Sequence, residues 1–151
     1  MSRAEELRYL VLAAQREGNR QLAAGLRPLG LSPAQAEVLR VLGEHKVLTL
    51  SGLGALLVCE SGTNPSRLVD RLVTQGLVER TRSETDGREV LLQLTPDGRR
   101  TAGAVAKVES RLCSEIDRRS AGHDLDAILA FLREFVDGLP AGEAVARRFP
   151  R

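Results

Sequence analysis

The sequence predicts a mainly α chain carrying one small β-hairpin, and three observations support that class. Apolar residues recur at steps of three and four through most of the 151 residues, the spacing that gathers them on one side of a helix. Residues 77–83, LVERTRS, and 89–94, EVLLQL, read instead as short strands, with Asp86-Gly87 between them. Ser32-Pro33 and Thr95-Pro96 each place a capping hydroxyl before a proline, a helix-start signature.

The elements follow in order. Residues 4–26 carry Leu7, Leu10, Val11, Ala14, Leu22 and Leu26 on one stripe, and RPLGLSP ends that helix. Ser32 as N-cap, Pro33 at the first position and Gln35 completing a capping box start a second helix over 33 to about 44. VLTL, 47–50, is either a strand or the lead into a brief helix around 50–57; its length does not decide. A fourth helix, roughly 62–75, carries Leu68, Val69, Leu72 and Val73 on one side and ends at Gly76, a residue suited to the left-handed position past a helix C-terminus. If it begins later, Asn64 is its cap and Pro65 its first residue.

Asp-Gly between the two strands fits a tight turn, because both residues tolerate the positive φ such turns require. A long helix from Thr95-Pro96-Asp97 to about Arg119 follows, with Val105, Val108, Leu112 and Ile116 as its stripe. Asp124 caps a last helix bearing Leu125, Ile128, Leu129, Leu132, Phe135 and Val136, which Gly138 and Pro140 stop. The tail AGEAVARRFPR shows no obvious partner.

A helix-turn-helix leading into a two-stranded hairpin is the layout of a winged helix. The expectation is one domain over 1–151, with a winged helix-turn-helix core at about 30–98. Helices at about 4–27 and 96–137 exceed what that module needs and call for dimerisation.

Composition excludes several other classes. The chain is 42% hydrophobic and 28% charged, hence globular. Its apolar runs are too short and too interrupted for a membrane span or a signal-peptide core, so a cytoplasmic location and no membrane partner are expected. Cys59 and Cys113 are too few for a disulfide framework and lack metal-finger spacing. No metal or cofactor is expected, and no enzyme: His45 and His123 lie in no catalytic motif, and no P-loop or dinucleotide fingerprint occurs.

Net charge is only +2, from 22 Lys plus Arg against 20 Asp plus Glu, so any case for nucleic acid rests on where the cations sit. At about 100° per residue, Thr63, Arg67, Asp70, Arg71 and Thr74 fall opposite the apolar side of the fourth helix. Arg can donate two bonds to guanine, Asn can pair with adenine, and Ser or Thr takes either role in a major groove. Ser61, Thr63, Asn64, Ser66 and Arg67 in the first turns are the candidate base readers, and Arg71 and Arg82 join the DNA-facing set. The same face would also suit a simply solvated helix, with Arg67 or Arg71 paired to Asp70.

LSPAQAEVLRVL, the stretch SRLVDRLVTQGLVERTRSETDGREVLLQLTPDGRR and the order of helices together resemble the MarR family of winged-helix transcription regulators. The likeness covers most of the chain. Its specific part is residues 66–100, which hold Leu-x-x-x-Gly-Leu-Val, a wing Asp-x-Arg and Leu-Thr-x-x-Gly. The resemblance implies a homodimer joined through its terminal helices, binding a pseudo-palindromic stretch of double-stranded DNA with two recognition helices in successive major grooves. It further implies that Arg67 is the recognition-helix arginine, that Asp86 holds the wing in shape and that Arg88 enters the flanking minor groove. Gly87 departs from the pattern, standing where many members carry a first wing cation.

Five arginines (67, 71, 80, 82, 88) and five acids (70, 79, 84, 86, 89) lie between 61 and 95, so the reading head is neutral in sum and a modest salt slope per monomer is expected. The family's usual control is a small-molecule effector held between the dimer helices and the winged core. Only 3% of residues are aromatic, leaving Tyr9, Phe131, Phe135 and Phe149 to stack on a flat ligand. Cys59 is expected to be a buried small hydrophobe rather than an oxidant sensor, since sensing members usually carry their cysteine in the first helix, which has none here. The expected function is sequence-specific repression of transcription. Two alternatives stand beside it: a winged-helix protein-interaction module without DNA binding, and an oxidant-sensing regulator acting through Cys59.

Overall fold

The computed structural model describes residues 2–59 and 64–150. Helix α1 spans Arg3–Leu26, capped by the Ser2 hydroxyl on the Glu5 N–H. A single 3-10 turn, Arg27–Leu29, and Gly30 in the left-handed region then reverse the chain. Helix α2, Pro33–His45, opens with the expected capping box: the Gln35 N–H donates to Ser32 Oγ, and the Ser32 N–H to Gln35 Oε1.

VLTL resolves into both of its readings in turn. Val47–Thr49 form strand β1, after which the Thr49 hydroxyl caps a short helix α3, Leu50–Gly54. Helix α4 covers Pro65–Thr74, strand β2 Val78–Arg82 and strand β3 Val90–Leu94. The three strands pair antiparallel in the order β1-β3-β2, with Leu48 opposite Leu92 and Arg80 opposite Leu92 from the other side. Helix α5, Pro96–Ser120, has the Thr95 hydroxyl on the Gly98 N–H as its cap, and helix α6, Leu125–Phe135, is capped by Asp124 on Ala127.

The C-terminal stretch corrects the sequence reading. Pro140 does not merely stop the preceding helix; it starts helix α7, Pro140–Arg148. Ala144 is buried, and Arg148 forms an ion pair with Glu37 of α2. The tail therefore has a partner 111 residues away, invisible to any local pattern.

The core is aliphatic. Leu26 of α1, Val38, Leu39, Val41 and Leu42 of α2, Leu53 of α3, Leu68, Val69 and Leu72 of α4, Val78, Leu92 and Leu94 of the sheet and Val105 of α5 form one cluster. Arg40 of α2 and Glu109 of α5 close one edge of it with a 2.8 Å ion pair. Among the described residues, no helix is long and apolar enough to cross a membrane.

Gly76 and Gly98 are required by the turns around the wing. Gly76 ends α4 at φ 73°, with the Leu77 N–H returning to the Leu72 carbonyl at 2.9 Å. Gly98, the glycine of the Leu-Thr-x-x-Gly motif, lies where a Cβ would collide with the backbone carbonyl of Leu77. That carbonyl also accepts the Thr95 N–H, so it is not free to move aside. Gly98→Ala should therefore destabilise the fold by about 1–3 kcal/mol through overpacking, read as a lower urea midpoint at unchanged slope.

Candidate nucleic-acid interface

Helix α4 starts late. The Asn64 side-chain oxygen accepts the Ser66 N–H at 3.0 Å and Pro65 occupies the first helical position, so the cap is Asn64 and not a residue near 62. Ser61 and Thr63 lie outside the described residues. Asn64 keeps its side-chain NH2 while its oxygen serves the cap, and Ser66 is half-buried.

The apolar stripe of Leu68, Val69 and Leu72 is buried, which turns Arg67, Asp70, Arg71 and Thr74 outward. Asp70 pairs with neither Arg67 nor Arg71. Its carboxylate takes the guanidinium of Arg80 on β2, tying the helix to the base of the wing. Thr74 returns its hydroxyl to the Asp70 carbonyl at 3.0 Å. Among the described residues no carboxylate pairs with Arg67, Arg71 or Arg88.

The wing does not close through the tight Asp-Gly turn expected from its sequence. Seven residues, 83–89, lie between the strands, and the loop is held by its own side chains. The Ser83 N–H donates to the Glu89 carbonyl and the Glu89 N–H to the Asp86 carbonyl, each at 2.9 Å. The buried Ser83 hydroxyl accepts the Asp86 N–H at 3.2 Å, and the Asp86 carboxylate accepts the Arg88 N–H at 3.0 Å. Arg82 donates to the Gly87 carbonyl at 3.3 Å, which engages it within the loop.

Gly87 itself does not have positive φ, and a Cβ there would meet nothing within 4 Å. The positive-φ turn expected of Asp-Gly is absent because Ser83 and Asp86 supply side-chain acceptors that shape a wider loop. Arg88 stands exposed beside its tip.

Cys59 is exposed, not buried. Its thiol is nonetheless pushed up to about 12, first by desolvation and then by the charge and hydrogen bond of Glu37. Glu37 is the buried carboxylate that sequence reasoning passed over. It is 7% exposed, and its two oxygens accept the Val58 and Cys59 N–H groups at 2.8 Å each. The available signal was a carboxylate beside Ala36, Val38 and Leu39 in the run AEVLRVL, on the side of the helix that its apolar residues mark for burial. Among the described residues no group of His, Cys, Asp and Glu could hold a metal ion.

Helix-turn-helix, three-stranded sheet and projecting loop define a winged helix. The family model described as "Winged helix DNA-binding domain" matches residues 31–98. The organic hydroperoxide resistance transcriptional regulator of Bacillus subtilis is 38% identical over 98 residues, spanning 65% of this chain and 66% of that protein. An uncharacterized HTH-type transcriptional regulator of the same organism, YfiV, is 36% identical over 72 residues, 48% of this chain and 44% of that protein. Among solved structures, a cysteine-to-serine mutant of Escherichia coli MarR complexed with operator DNA superposes with a TM-score of 0.76 at 26% identity, covering 87% of this chain and 94% of that one. The chain belongs to the MarR family of winged-helix transcription regulators.

The raised thiol makes a pH prediction. The thiolate is the reactive form, and its ordinary pKa is about 8.5. In a Cys113→Ser background, the iodoacetamide rate at Cys59 should still be climbing through pH 10 without a plateau, whereas an unperturbed thiol would level off.

Proposed function

We propose that this protein binds double-stranded DNA as a homodimer and represses transcription from a pseudo-palindromic operator. The observation that carries the reading is the disposition of charge on α4 and the wing. Asp70 is occupied by Arg80, leaving Arg67 and Arg71 exposed on α4 and Arg88 exposed near the wing tip. A buried stripe fixes the rotation of α4, so Arg67 and Arg71 face outward together. They have the donor geometry for guanine or phosphate.

Dimerisation is supported by α1 and α6. No residue of α6 is buried, although it carries Leu125, Ile128, Leu129, Phe131, Leu132 and Phe135. With Leu7, Leu10 and Val11 of α1 equally exposed beside it, the apolar surface is of the kind that a second copy covers. Release by a small-molecule effector belongs to this proposal as its regulatory arm.

One relative's name concerns organic hydroperoxide resistance. For this chain a thiolate sensor at Cys59 is disfavoured, because desolvation and Glu37 keep that thiol protonated. Peroxide should affect the DNA affinity of wild type and of Cys59→Ser alike, and release from wild type alone would establish Cys59 as the sensor.

The decisive experiment titrates duplexes from the region flanking the gene at several salt concentrations. An inverted repeat should bind well above random duplex, and binding no better than random would sink the repressor reading. Arg67→Ala should cost about 1–3 kcal/mol and relax preference at one base position. Arg88→Ala should weaken all sequences alike. Gly87→Arg should fold normally, bind more tightly and steepen the salt dependence by roughly one phosphate contact per subunit; an unfolded Gly87→Arg would show that the loop needs its glycine.

A further inference from the structure

Residues 55–59 follow α3 on the way to α4, and they are held from two directions. From α2, the Glu37 carboxylate accepts consecutive backbone N–H groups, Val58 on Oε1 and Cys59 on Oε2, at 2.8 Å each. From α7, Arg147 donates to the Ala55 carbonyl at 3.2 Å, and Arg148 donates through Nη1 to Glu37 Oε1 at 2.9 Å. The Arg148 side chain is 15% exposed, and its Nε is buried without a hydrogen-bond partner among the described residues.

The chemistry of this node is demanding. Two adjacent N–H groups need an acceptor with two oxygens, which an ionised carboxylate provides and a protonated one or an amide does not. Burying a carboxylate is costly unless it is both hydrogen-bonded and paired with a cation. Arg148 is the residue whose charge meets it.

We propose that Arg148, acting through Glu37, is a positioning residue for DNA binding: it holds the segment that sets the start of α4. Resting on the DNA-binding reading above, this makes α7 part of the reading head. Gly142 sits beneath the Val136 carbonyl with no space for a Cβ, so α7 is also seated against the end of α6. The position of α4 is thus tied to the apolar helix proposed to join the two subunits.

The test uses the full chain in a Cys113→Ser background, with Cys59 as reporter of the segment. In Arg148→Gln, the iodoacetamide rate at Cys59 should rise at least tenfold at pH 8 as the segment opens to water. Were the charge simply removed from a fixed structure, the uncompensated Glu37 would slow that reaction instead. Affinity for the preferred duplex should fall tenfold or more, with the salt slope unchanged and the dimer intact.

Glu37→Gln combined with Arg148→Gln leaves no unpaired buried charge, and so covers the case in which the single variant fails to fold. Its affinity should match that of the single variant within about twofold, because the two residues act as one unit, and its Cys59 reactivity should rise at least as far, since the Glu37 charge that raises the thiol is gone as well. A folded variant with unchanged Cys59 reactivity or unchanged affinity overturns the proposal. A reduced salt slope does too, since it would make Arg148 a direct phosphate contact. Wild type that binds no duplex above random sequence overturns the DNA reading and this inference together; wild type that binds while Arg148→Gln keeps its affinity overturns this inference alone.

Discussion

Helix α2 is buried along most of its length, and the winged helix is assembled around it. Val38, Leu39, Val41 and Leu42 lose essentially all their surface, while the helix meets α1, α4, α5 and the sheet. The cluster it anchors contains no aromatic residue. Branched aliphatic side chains must interdigitate closely to reach the density of a protein interior, so each helix seated on α2 has little rotational freedom. For α4 this matters most. Once Leu68, Val69 and Leu72 are inside, the bearing of Arg67 and Arg71 is settled without any contact of their own.

Electrostatics then selects among equal numbers of charges. Surface ion pairs contribute only about 0–1 kcal/mol each to stability. Their consequence here is distribution. Arg80 is engaged by Asp70 and Arg82 by the Gly87 carbonyl, while Glu79 accepts from Gln93 across the strands at 2.7 Å. These pairings occupy the sheet and the wing base. Among the described residues Arg67, Arg71 and Arg88 are left without a carboxylate, so the outward face of α4 keeps two guanidinium groups although the segment is neutral in sum.

Local signals were legible because they act over one turn. Ser32 with Gln35, Thr95 with Pro96, Asp124 and Gly76 each did what their residue types and spacing imply. The wing was legible as a hairpin but not as a shape: Ser83 and Asp86 redirect its backbone through side-chain hydrogen bonds that an Asp-Gly signature does not reveal. Cys59 was misjudged for a related reason. Sequence suggests burial for a cysteine, whereas the residue is exposed and its chemistry is governed by a carboxylate from another helix.

The sequence by itself determined the main helices through α6, the hairpin, the caps at Ser32, Thr95 and Asp124 and the aliphatic stripes, because each follows from periodicity and short spacing, while its motifs carried the resemblance to the family. Only the tertiary structure decided that Asp70 turns to the wing rather than to its helical neighbours. Only it, too, brought the C-terminal arginines back to Glu37 and the approach to α4. The physical reason is range: a cap is satisfied within three or four residues, whereas a buried charge is matched by whatever the folded chain brings beside it, here from 111 residues away.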